Sequence, residues 1–84
     1  MIPVLSTDIE AEKIGDEMVI YNAITEAAVH LNEMSTLIYG LIDGERSTAE
    51  MTELLSEAFP DAPIAEDLAV LMQQLAEAKV ITYK

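Results

Sequence analysis

Leu31-Asn32-Glu33-Met34-Ser35-Thr36-Leu37-Ile38-Tyr39-Gly40-Leu41-Ile42-Asp43-Gly44 is the stretch on which the fold turns. Asn32 carries a side chain suited to capping a helix start, and Glu33 places negative charge in the first turn. Met34, Leu37, Ile38, Leu41 and Ile42 recur at i, i+3, i+4, i+7 and i+8, the apolar stripe of an amphipathic helix. Gly44 stands where a left-handed residue would close that helix. The segment therefore predicts a helix, and the sequence changes character on either side of it.

Upstream, the residues suit strands. Ile9-Glu10-Ala11-Glu12-Lys13-Ile14 mixes apolar and charged residues and ends at Gly15-Asp16. Met18-Val19-Ile20-Tyr21 is β-branched and aromatic, the composition that packs on a pleated surface. After a turn-like break at 22–26, Ala27-Ala28-Val29-His30-Leu31 reads as a third short strand. Downstream, Ser47 and Glu50 have capping-box spacing, and Met51, Leu54, Leu55, Ala58 and Phe59 repeat the helical stripe until Pro60 stops it. A third helix is expected from about Pro63, with Ile64, Leu68, Leu71, Leu75 and Ala78 inward. Val80-Ile81-Thr82-Tyr83 then trails off in extended style. Three strands followed by three helices predict an α+β fold, a three-stranded antiparallel sheet beside a helical cluster, in a single domain over 1–84.

Composition bounds the function. The 84 residues are 51% hydrophobic, enough for a core, and contain no cysteine, which rules out a disulfide framework and suits a reducing cytoplasm. Charge breaks every apolar run well short of the roughly 20 residues that span a bilayer. Met1-Ile2-Pro3-Val4 lacks the basic start and long apolar stretch of a signal peptide. Sixteen acidic residues against four basic ones give a net charge of −12. Such a surface repels phosphates and anionic lipids, so neither nucleic acid nor membrane is an expected partner. Most of the acids are expected to solvate the surface, and some to steer a basic partner.

No chemistry assembles. His30 is the only histidine, so a zinc site would need carboxylates alone. The paired carboxylates Asp16-Glu17 and Glu66-Asp67 fall at a turn and a helix start, where solvent reaches them, and a general acid needs a buried carboxyl. Gly15, Gly40 and Gly44 make no phosphate-cradling loop. An enzyme is not expected, and no cofactor.

Two features favour binding. Leu68-Ala69-Val70-Leu71-Met72 is apolar almost all round, more than a surface helix needs. The strand Ala27 to Leu31 has neither Pro nor Lys to protect it as a sheet edge. An open edge beside an apolar helix can capture an extended peptide by strand addition. The rivals are a winged-helix DNA-binding domain and a structural docking subunit of a larger complex. The first is disfavoured because the third helix has no Lys or Arg before Lys79.

The quoted stretch, with its Leu-Asn start and Asp-Gly end, resembles the signature of the PqqD family. The likeness runs on through Ser47-Thr48-Ala49-Glu50 and, more loosely, through Asp67, Leu71 and Leu75. The resemblance implies a winged-helix-like fold and a role as a RiPP recognition element. Such a peptide chaperone binds the leader of a ribosomal precursor and presents it to a modifying enzyme, such as a radical SAM protein or a leader peptidase. Carried onto this chain, the leader would add to Ala27, Ala28, Val29, His30 and Leu31, against a wall of Asp67, Leu68, Leu71, Met72 and Leu75. The chain departs from the family pattern in three places. Ala27 and Ala28 are small where relatives often carry aromatics, and Tyr39 replaces the usual tryptophan. Lys79-Val80 replaces Gly-Leu, which predicts a different exit from the third helix because non-Gly residues disfavour a left-handed cap.

Overall fold

In the computed structural model, which describes residues 1–84, a short strand β1 (Pro3–Leu5) precedes the three that the sequence predicts, β2 (Ile9–Ile14), β3 (Glu17–Asn22) and β4 (Ala28–Leu31). Gly15 and Asp16 form the two-residue turn between β2 and β3. Of the two only Gly15 has positive φ, the pattern of a type II′ hairpin, whose twist matches its strands. The antiparallel sheet runs β2-β3-β4, with Ile20 opposite Ala11 on one side and Val29 on the other. Side chains alternate across it, so Met18 and Ile20 of β3 and Val29 and Leu31 of β4 point to the helices.

Three helices follow: α1 (Glu33–Gly40), α2 (Thr48–Ala58) and α3 (Ile64–Glu77). Asn32 caps α1 by accepting the Ser35 N–H at 2.8 Å. Ser47 and Glu50 form the reciprocal capping box of α2. Two boundaries differ from expectation. Helix α1 ends at Gly40, not beside Gly44, because the chain tightens: the Leu41 and Ile42 N–H groups donate to residues three back, Ile38 and Tyr39. Gly44 does take positive φ, +78°, but in the following loop. There Asp43 accepts from the Arg46 and Glu45 N–H groups, which hold its carboxyl below the ordinary carboxylate range. Gly40 permits no close approach, since a Cβ there would meet nothing within 4 Å.

The second correction concerns the end of α3. The expected deviation does not occur. Val80 N–H donates to Leu75 O and Lys79 N–H to Ala76 O, the paired bonds of a Schellman motif. Lys79 takes the left-handed position at φ +62° although it is not glycine. Val80, wholly buried, supplies the hydrophobic contact that accompanies this cap. The tail becomes β5 (Ile81–Tyr83), which pairs antiparallel with β1 and joins Pro3 to Tyr83.

The core draws on every layer: Ile20 and Leu31 from the sheet, Ile38 from α1, Met51 and Leu55 from α2, and the inner face of α3. Leu54 and Phe59 of the α2 stripe are instead 46% and 38% exposed, because α2 meets α3 along one narrow line. Tyr39 packs partly buried against the core, and that burial pushes its phenol pKa up.

Candidate functional site

The open side of β4 is the most distinctive surface, and its hydrogen-bond phase can be derived. Asn22 N–H donates to Ala27 O, and Ala23 N–H to Asp8 O, each at 2.9 Å. Even-numbered β3 residues therefore bond toward β4 and odd-numbered ones toward β2. In the register Ile20↔Val29 and Met18↔Leu31, Val29 and Leu31 turn their backbone groups inward. Ala28 and His30 turn theirs outward, and no hydrogen bond elsewhere in the chain engages them. Unpaired backbone groups of this kind are a template for another strand.

The turn that holds β4 in place rests on Asn22, a residue whose importance the sequence did not signal beyond marking a break. Asn22 is 4% exposed, accepts from the Ile24 and Thr25 N–H groups, and donates through Nδ2 to the Lys79 carbonyl at 2.8 Å. Ser6 Oγ donates to the same carbonyl at 2.9 Å. The exit of α3 is thereby tied to the strand that carries β4.

Beside the open edge lies a groove walled by α3. Its first half lies between Ala28-Val29-His30 and the α3 end at Gln74, Glu77 and Ala78. Its second half continues from His30 and Asn32 to Asp67, Val70 and Leu71, with Met34 of α1 closing it. The order of these partners shows that α3 runs antiparallel to β4. The lining mixes polar and apolar residues, and Val70 leaves 56% of its surface in solvent. No Lys or Arg lines either half. His30 Nε2 donates to Glu17 Oε1 at 2.8 Å across the outer sheet face, and both side chains are exposed.

The ten predicted site residues separate on this geometry. Ala28, Val29 and His30 lie along the groove, Leu31 turns into the core, and Ala27 precedes the strand with its carbonyl bonded to Asn22. Of the α3 set, Asp67 and Leu71 line the groove. Leu68 and Met72 do not: a 100° step per residue carries them to the opposite flank, where they line a hollow with Ala49, Thr52 and Tyr83. Leu75 is wholly buried in the core. The apolar girth of α3 is thus largely satisfied from within. Val70, Gln74 and Glu77, absent from the sequence-based set, complete the wall. They sit at i+3, i+7 and i+10 from Asp67, a spacing that would have revealed them once the facing side was known. Glu66 and Glu26 line neither half.

Comparison with known proteins agrees with this architecture. Residues 17–81 match the profile of the family described as Coenzyme PQQ synthesis protein D (PqqD). A PqqA binding protein of Pseudomonas entomophila (strain L48) is 41% identical over 49 residues, covering 57% of this chain and 54% of that one. A PqqA binding protein of Rahnella aquatilis is 35% identical over 60 residues, 70% of this chain and 63% of its own. The chain thus spans between about half and two thirds of the length of the curated relatives it matches. The solved structure of TbiB1 in complex with the TbiA(beta) leader peptide shares the fold, with a TM-score of 0.78 over 93% of each chain at 18% identity. With 65 of its 84 residues, 17–81, matching the family, from β3 through the three helices to the start of β5, the chain belongs to the PqqD family.

Proposed function

We propose that this protein is a non-catalytic peptide-binding module. It takes the leader of a ribosomally made precursor as a fourth strand on β4, against α3, and presents it to a modifying enzyme. A radical SAM protein or a leader peptidase is the kind of partner that fits. The observation that carries this reading is the outward, unpaired backbone of Ala28 and His30 beside a groove walled by α3. Main-chain bonding there supplies affinity for any extended peptide, and the groove supplies selection among side chains. The family membership, the names of the relatives and the leader-bound structure with the same fold all support it. No helix is long and apolar enough to cross a membrane, and we place the protein in the cytoplasm, where precursors are made. A DNA-binding role gains no support, because α3 contains neither Lys nor Arg.

The test is titration with the leader peptide encoded beside this gene. Affinity is expected at micromolar or better, about −8 kcal/mol. The largest amide NMR shifts are expected at Ala28 to Leu31 and along α3 from Asp67 to Glu77. Absence of both binding heat and shifts at β4 would refute the assignment.

A further inference from the structure

The groove is not uniform along its length, and its ends differ from its middle. Asp67 stands at one end and Glu77 at the other, both exposed, and between them lie Val70, Leu71 and Gln74. Ten residues of helix separate the two carboxylates, about 15 Å along the axis. The helix-facing positions of the edge alongside, Ala27, Val29 and Leu31, cover four residue steps, or roughly 14 Å of strand. The two spans agree.

A strand laid on β4 points alternate side chains at α3, so its residues i, i+2 and i+4 face the helix together. Residues i and i+4 come opposite the two acids, and i+2 comes opposite the Val70 and Leu71 surface. With no cation lining the groove and a net charge of −12, the complementary side chains at both ends are basic. We infer that the peptide this protein selects carries a basic residue, any residue, an aliphatic residue, any residue, and a second basic residue, all three named positions facing α3. This rests on the strand-addition function proposed above and adds to it the chemistry of the guest.

A displayed library of random peptides, selected on the intact protein, tests it without a prior guess at the ligand. The enriched sequences are expected to place Lys or Arg four apart around Leu, Ile or Val. Peptides bearing Gln at one basic position are expected to bind about two- to fivefold more weakly, the scale of one exposed ion pair. Selection on Glu77→Lys is expected to replace one of the two cations with an acid and leave the other unchanged. Selection on Asp67→Lys is expected to do the same at the opposite position. Enriched peptides that shift the Ala28 and His30 amides but show no paired cations would overturn this inference and leave strand addition standing. Peptides that bind without disturbing β4, or no enrichment at all, would overturn both.

Discussion

Lys79 is held at φ +62°, in a conformation that costs an L-residue roughly 1–2 kcal/mol, and its side chain is exposed. What holds it there is visible around it. Two backbone bonds close the cap, Val80 is buried behind it, and Asn22 and Ser6 both donate to its carbonyl. The strain is local and has no partner to lose. Lys79→Gly should therefore stabilise the protein by about 1 kcal/mol, raising Tm by about 4–8 °C for a domain of this size. Calorimetry of the variant checks this, and an unchanged or lowered Tm would show that Lys79 makes contacts that offset the gain. Asn22 represents the opposite case. Three hydrogen bonds converge on one buried side chain, and replacement by Ala leaves the Ile24 and Thr25 N–H groups without that partner and the Lys79 carbonyl with Ser6 Oγ alone. Asn22→Ala is expected to cost about 2–4 kcal/mol, read as a lower urea midpoint with an unchanged slope.

At the scale of elements, the two edges of the sheet are unequal. On β2 the outward-turned backbone belongs to Ile9, Ala11 and Lys13, and a lysine on an edge discourages pairing. On β4 no such guard exists. His30→Pro removes one outward N–H while leaving the bonds to β3 intact, since proline is tolerated on an edge where its missing donor faces outward. The fold should survive, with an unaltered circular dichroism spectrum, and peptide binding should fall at least tenfold. His30→Ala, which keeps the N–H, should bind within a few-fold of the parent in the same titration. Much of this architecture was legible beforehand, because helical stripes, caps and the Gly15 turn are local signals. The β1–β5 ribbon was not: three residues are too few to show a period, and Pro3 finds Tyr83 only across nearly the whole chain. The α3 wall was half legible. The run from Leu68 to Met72 announced excess apolar surface, but only tertiary packing decides that Leu68 and Met72 turn toward α2 and Tyr83 while Val70 is left on the groove.

For the molecule as a whole, charge governs encounter more than hold. A net charge of −12 concentrates basic peptides near the surface, and salt screens exposed charges beyond about 8–10 Å. Surface-plasmon kinetics over a salt series should show association slowing several-fold while dissociation barely changes. A salt-independent on-rate would reduce the acids to a solubilising coat and leave the strand site untouched. The sheet has a further property that follows from its being open and not closed into a barrel. A guest that docks on β4 satisfies the idle amides of Ala28 and His30, yet in doing so brings its own outer row of N–H and C=O groups to the rim, about 4.8 Å further out. The frontier is moved, not sealed. Whatever next approaches the loaded complex from that side meets the main chain of the passenger before that of its carrier.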